Sequence, residues 1–375
     1  MIPYPEIINI VTISQAAIGV VIVLFSTLRR NFPAQILGLF LLIFALIKAD
    51  QIFQFLDGPL QYPHLAFWLS PLEWLLTPVL YFYVLSLSIP DFRLRWSHVL
   101  HLCPALLWFG YQSATFLFLP SEAKITILNA GTLREPLHSL WIPLISDAIQ
   151  LSYIGAAVSR LHTHGQSLRD WFSRIEDRDL RWIRNLLALW TAIVACHALF
   201  FIARSYVSPG IWARFFVDLL NTMHMVFAIA LVYRGLAHAL VGPATPQSVL
   251  PTEKYAHSTL SHEERAALYE RAQARMLSDE LYRNGDLSLD ELAIALNATE
   301  RELSEALNGV GQMRFFEFVN RFRIVEASRL LLEYPDRSIL EVGFEAGFNS
   351  KSTFNAIFKA YTSETPTQFR KRHGE

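Results

Sequence analysis

The chain has 375 residues, 53% of them hydrophobic and 17% charged, with a formal net charge of −1. An ordinary soluble domain is about 45–50% apolar and about 25% charged, so a single water-solvated domain is excluded, and the near-zero net charge selects no partner. Charge is also unevenly placed: residues 1–240 hold 16 Lys+Arg and 13 Asp+Glu, whereas 241–375 hold 16 and 20 in little more than half the length. Such a shift implies two domains in two solvents. Two cysteines, Cys103 and Cys196, both inside apolar runs, exclude a disulfide framework and read as buried thiols.

Runs long enough to cross about 30 Å of hydrocarbon, roughly 17–25 residues, occur at about 7–28, 33–56, 64–89, 97–119, 138–160, 183–206 and 212–235. "MIPYPEIINI" lacks the cationic start of a secretory signal, so the first run reads as a retained span. Breaks fall at "RRNFP", "DGPLQYPH", "IPDFRLR", the 120–137 loop, the cationic "HTHGQSLRDWFSRIEDRDLR" and "SPG". Tyr62, Trp96, Trp141, Trp182, Tyr206, Trp212 and Tyr233 stand near the ends, as interfacial anchors do. With the N-terminus outside, inner flanks hold eleven arginines (29, 30, 93, 95, 160, 169, 174, 178, 181, 184 and 234). Outer flanks hold Lys124, Arg134, Arg204 and Arg214. That bias sets the N-terminus outside and the C-terminus in the cytoplasm.

Ionisable residues inside these spans are costly, about 2.5–3.5 kcal/mol each at the bilayer centre, and therefore face the bundle interior with partners. They are Lys48, Asp50, Glu73, Asp147, His197, Asp218 and His224, joined by Asn221 on the three-residue stripe Asp218–Asn221–His224. Two readings stay open: an outward-facing pocket for a small ligand or a proton, and a network of structural hydrogen bonds built around Lys48–Asp50 or Lys48–Glu73. Neither a metal pair nor a nucleophile elbow occurs, so no enzyme and no cofactor is expected. His162 and His164 read as solvated loop residues.

Residues 241–260 are rich in Pro, Ser and Thr and read as a linker. A connecting helix over 261–283 starts on the capping box Ser261-x-x-Glu264 and stops at Asn284-Gly285, with Leu268, Ala272, Met276, Leu277 and Leu281 as its apolar side. Two helix-turn-helix patterns follow within 284–375. In the first, Ser288-x-x-Glu291 and Thr299-x-x-Glu302 cap two helices around Asn297-Ala298. In the second, Ser338-x-x-Glu341 caps the first helix, Gly347 supplies a left-handed turn residue, and Ser350–Tyr361 forms the next helix. Between them "FFEFVNRFRIVEASRLLLE" predicts a rod about 30 Å long, a length that suits two reading helices about 34 Å apart on one face of DNA.

"NRFRIVEASRLLLE…SILEVGFEAGFNSKSTFNAIFKAY…TPTQFRK" resembles the DNA-binding domain of the AraC/XylS family over about residues 285–372. The "FNSKSTFN" wording and the helix before it look like the subgroup with an N-terminal seven-span membrane domain. The resemblance implies that the second helix of each unit reads DNA: Arg301, Ser304 and Glu305 in the first, Ser350, Lys351, Ser352 and Asn355 in the second. Arg323, Lys359, Arg370, Lys371 and Arg372 are then suited to phosphate. This sequence departs from the family wording at Gly343, where Ala is usual, and at Ser363, where Gly is usual. The first reading helix is acidic (Glu300, Glu302, Glu305), while residues 311–375 carry net +2, so the second unit is expected to supply most of the grip.

The whole reads as an all-α protein: a seven-helix transmembrane sensor over 1–240, then a cytoplasmic AraC-like domain with two helix-turn-helix units. Its expected partners are double-stranded DNA at a promoter or operator, membrane lipid, an unidentified small ligand, RNA polymerase and a second copy of the chain. Its expected location is a bacterial inner membrane. The alternative from another class is a transporter or channel whose cytoplasmic helical domain is regulatory or binds protein.

Overall fold

The computed structural model describes residues 4–89, 92–130, 140–175, 179–207, 210–241 and 260–374. Most of the expected 241–260 linker, with Arg134 and Arg178, lies outside the described residues. Those described are all-helical, with no strand. The chain divides into two compact units, one of Met1–His162 and Leu180–Ser248, the other of Thr163–Asp179 and Val249–Glu375.

The longer helices that lie wholly or partly in the first unit are α1 Tyr4–Phe25, α2 Phe32–Phe55, α3 Glu73–Ser88, α4 Cys103–Gln112, α5 Ser121–Ala130, α6 Ile142–Trp171, α7 Arg181–Tyr206 and α8 Ile211–Val241. Five are long and apolar enough to cross a membrane: α1, α2, α6, α7 and α8. A sixth is reached only if the bent pair Trp96–Leu117 and Ser121–Ala130, 101° apart, counts as one span. The run expected at 64–89 delivers the 16-residue helix α3, about 24 Å at 1.5 Å per residue, because Pro71 and the turns before it delay the start.

Asn31 caps α2 by accepting from the Ala34 N–H (3.1 Å), and Pro33 sits in the first turn, where no donor is needed. α1 packs on α2 and α8, α2 on α3, and α7 on α8. Phe40, Phe44, Trp190 and Phe227 interlock at their centre, with Trp190 and Phe227 edge-to-face at 4.6 Å between centroids. Outward faces of α1 and α2 expose Ile18, Val21, Leu24, Leu39 and Leu42. Cys196 is half-buried, but Cys103 is exposed at the start of α4 rather than buried.

The second unit holds α9 His262–Ser278, α10 Leu289–Ala295, α11 Glu300–Gly309, α12 Phe315–Glu333, α13 Ile339–Glu345, α14 Lys351–Thr362 and α15 Pro366–His373. Capping boxes at Ser261, Ser288, Thr299 and Ser338 form as their spacing predicts. Backbone hydrogen bonds hold the carboxyls of Glu264, Glu302 and Glu341 below the usual glutamate range. α9 packs on α11 through Leu268, Ala272 and Met276, while Leu277, expected on that side, is exposed.

One piece of the second unit comes from the middle of the chain. α6 does not end near residue 160 but runs on to Trp171, and Leu168, Trp171, Phe172 and Ile175 are buried in the same core as α9, α10, α11 and the start of α12. The segment expected to be a solvated loop, including the buried His164, is therefore structural. Its apolar residues recur at i, i+3, i+4 and i+7, one face of a helix.

Candidate nucleic-acid interface and polar cavity

In α14 the buried side is Phe354 and Phe358, which pack with Phe348 and Val342. The opposite side presents Lys351, Ser352 and Lys359 exposed and Asn355 half-buried. Lys351, Asn355 and Lys359 stand four residues apart and so share one stripe. Ser350 is the N-cap, its hydroxyl accepting from the Thr353 N–H at 3.1 Å. It thus fixes the helix start, where free N–H groups favour an anion.

The turn before α14 depends on Gly347, with φ +94°; a Cβ there would lie 2.3 Å from the Tyr282 carbonyl oxygen. Gly343, a departure from the family wording, faces Phe354: an added Cβ would lie 2.8 Å from the ring, so the glycine lets α13 close on α14.

The first pair is built differently. Asn297, with φ 49°, makes the left-handed turn between α10 and α11. On α11, Arg301 is tied to Glu305 at 3.0 Å, and Ser304 is buried, its hydroxyl accepting from the Asn308 side-chain amide at 3.2 Å. A buried hydroxyl reaches no base edge, so Ser304 is corrected from a reading residue to a packing residue. The Arg301 charge is met from within its own helix.

Arg323 is also corrected. It is 2% exposed, and its guanidinium donates to the carbonyls of Tyr282 (2.8 Å), Asn284 (2.8 Å) and Ser173 (3.3 Å) and to the Ser173 hydroxyl (3.1 Å). It lies 5.8 Å from the Phe348 ring centroid. Spent on these oxygens and on Asn320 Oδ1 (3.3 Å), all inside the unit, it clamps three segments together instead of meeting phosphate. One turn on, Glu326 accepts from Arg283 and Arg329, each at 2.9 Å, and these bonds, the one from Arg329 foremost, pull its carboxyl below the usual range.

In α15 Lys371 is exposed and Arg372 pairs with Glu364. Arg370 is half-buried, its Nε and one Nη shielded without a hydrogen-bond partner.

Sequence reasoning missed the contribution of residues 163–175. Phe172 bridges to Ser288 backbone to backbone, and the Ser173 hydroxyl donates to the Leu287 carbonyl at 2.6 Å. Arg174 pairs with Asp286 at 3.1 Å, and Arg314 donates to the Gln166 carbonyl at 2.7 Å. Ser288 is the N-cap of α10, so this segment braces the first helix pair at its cap.

The first unit contains a cavity of about 500 Å³ at the end of the bundle where α1 begins. Of the expected pocket residues, Lys48, His197, Asp218, Asn221 and His224 line it, joined by Glu6, Asn9, Gln51 and Arg214. Lys48, 1% exposed, donates to Gln51 at 2.9 Å and Asn221 at 3.2 Å, which replaces the expected pairing with Asp50 or Glu73. Asp50 instead accepts from Gln54 at 2.5 Å. Asp147 stands behind the cavity and holds His197 at 2.9 Å. Glu73 is exposed at the first residue of α3, a helix start that favours a carboxylate. Sequence reasoning missed Glu6 and Asn9; the signal that could have found them is the three-residue spacing Glu6–Asn9–Thr12 on one stripe of α1. Among the described residues no group of three or more His, Cys, Asp or Glu is placed to hold a metal.

Comparison with known proteins bears on the second unit. The model of a helix-turn-helix domain matches residues 292–372. The probable transcription factor PqrA of Proteus vulgaris is 31% identical over 96 residues, covering 26% of this chain and 78% of PqrA. Uncharacterized HTH-type transcriptional regulators of Staphylococcus aureus strains COL and N315 are 36% identical over 91 residues, 24% of this chain. The chain spans only 12% of the length of those staphylococcal relatives. No solved structure matches. With most of PqrA covered, and with the matched domain falling on α10–α15, the chain belongs through its C-terminal part to the AraC-type helix-turn-helix family.

Proposed function

We propose that this protein is a membrane-anchored transcription regulator in which a signal received by the first unit changes how the second unit occupies DNA. Family membership supports the DNA-binding, transcription-regulating part. The observation that carries the rest is the path of α6: one helix begins among the apolar spans and ends in the core of the second unit. On this reading the unit is read out by seven crossings, with α3 and the bent α4–α5 region as the short ones, the N-terminus outside and the second unit in the cytoplasm, as the arginine bias requires. Exposed aliphatic faces on α1 and α2 then meet lipid.

In the second unit, α14 enters a major groove with Lys351, Ser352 and Asn355 toward base edges and Lys359, Lys371 and Arg370 toward phosphate. α11, acidic through Glu300 and Glu302 and with Arg301 already paired to Glu305, grips weakly and is the surface offered to another protein, RNA polymerase or a second copy. Shifting α6 moves Phe172 and Ser173 against the cap of α10 and against Arg323, and so alters the first pair relative to α12.

The test is footprinting of the full chain, in detergent or nanodiscs, on genomic DNA across a salt series, with reporters fused to each terminus for topology. A protected, sequence-preferring site whose affinity falls steeply with salt is expected. Salt-insensitive or sequence-indifferent binding would remove the regulator reading, and a C-terminus accessible from outside would remove the anchoring reading.

A further inference from the structure

The cavity at the α1-start end of the first unit carries more than its existence. Its volume, about 500 Å³, lies within the roughly 300–1,000 Å³ range of small-molecule sites. Its polar groups are not balanced. Glu6 is 4% exposed and Asn9 3% exposed, and no hydrogen-bond donor reaches Glu6 Oε2, Asn9 Oδ1 or Asp218 Oδ1. All three are acceptors, and two belong to carboxylates. Burying a carboxylate oxygen without a donor is costly, and native proteins rarely leave one so.

The cations nearby do not serve them. Lys48 spends donors on Gln51 and Asn221, and Arg214 is exposed on α8. His197 is held by Asp147, and His224 bonds its own helix at the Leu220 carbonyl (2.8 Å). Phe55, Phe200 and Phe201 complete the wall. Acceptors without donors, set among aromatic rings, suit a cation that also donates hydrogen bonds.

We propose that this cavity binds a small organic ammonium ion, its N–H groups donating to Glu6, Asn9 and Asp218 and its carbon skeleton lying against the phenylalanine rings. The inference rests on the sensor reading above and names the chemistry of its signal. Every element that lines the cavity does so with the end lying outside under the arginine-derived topology: the start of α1, the end of α2, the end of α7 and the start of α8. The ligand therefore enters from outside the cell.

The experiment uses the full chain in detergent. Thermal unfolding and titration calorimetry are run with methylammonium, butane-1,4-diammonium and 2-phenylethylammonium, each against its hydroxyl counterpart, and with 3-phenylpropanoate as the anion. At least one ammonium should bind about 10-fold or more tighter than its alcohol and raise the melting temperature, with the carboxylate giving no shift. Glu6→Gln and Asp218→Asn should each weaken the ammonium about 10-fold and leave the alcohol unchanged. Ammonium and alcohol binding alike, or preferred binding of the carboxylate through Lys48 and Arg214, overturns the proposal, and this comparison needs no variant to fold. Footprinting on the same preparation separates the two readings. A footprint without ammonium preference sinks only the ligand chemistry, whereas loss of the footprint sinks the regulator.

Discussion

Ser363 shows how one side chain can sit against its backbone. It closes α14 in the left-handed region, with φ 64°, where a non-glycine residue costs roughly 1–2 kcal/mol. Ser363→Gly is therefore expected to stabilise the second unit by about 1 kcal/mol, visible as a higher denaturant midpoint with an unchanged slope. Arg323 makes the opposite case. Its cation looked available for DNA, because a sequence shows charge and not depth. Removing it takes the guanidinium donors from the Tyr282 and Asn284 carbonyls, at about 1–3 kcal/mol for a dry acceptor. Arg323→Met should lower stability by about 3 kcal/mol, yet the slope of log affinity against log salt should be the same for the folded fraction. A slope reduced by about 1 would restore Arg323 to the phosphate contacts.

Among the elements, α14 was the most legible. Its extent and its Phe354–Phe358 core side follow from spacing, whereas Lys351 and Asn355 were singled out by the family resemblance. Lys359→Ala should weaken DNA binding evenly across sequences and cut the salt slope by about 1, whereas Asn355→Ala should cost about 1–3 kcal/mol at the cognate site and relax specificity there. Competition binding with scrambled and cognate duplexes distinguishes the two. α11 was legible in form but not in surface: the spacing gave the helix and places Arg301 one turn from Glu305, while the burial of Ser304 depends on neighbours from far along the chain. The extension of α6 was written in the sequence as Leu168, Trp171, Phe172 and Ile175, yet masked by the arginines and histidines around it, which read as a solvated loop. Phe172 is 5% exposed, so Phe172→Ala should cost about 3–5 kcal/mol in the second unit, as large core truncations do. Limited proteolysis of the full chain would show it as earlier cleavage within 260–374.

At the scale of the whole molecule, composition separated an oily part, 1–240, from a charged part, whereas the compact units are Met1–His162 with Leu180–Ser248 and Thr163–Asp179 with Val249–Glu375. What composition could not reveal is which chain segments build each part, since Leu168, Trp171, Phe172 and Ile175, in a stretch enclosed by apolar spans, share a core with α9–α12. Cavity membership was half legible for the same reason. The Asp218–Asn221–His224 stripe lies on one helix and is visible by periodicity, but Glu6 and Asn9 join it only because α1 packs beside α8.

The peptide chain passes between the two units three times, after residue 162, before residue 180 and before residue 249. A regulator joined to its anchor only by the segment before α9 would be set free by one protease cut there. This one would not be: after a cut within 242–259, the fragment beginning near residue 260 would still be plugged by Trp171, Phe172 and Ser173. Nicking a site engineered into that stretch should leave the C-terminal fragment sedimenting with membranes until denaturant is added. If the first unit is anchored in a membrane as proposed, such an arrangement makes release by proteolysis an ineffective off-switch and confines the search to DNA that comes to the membrane.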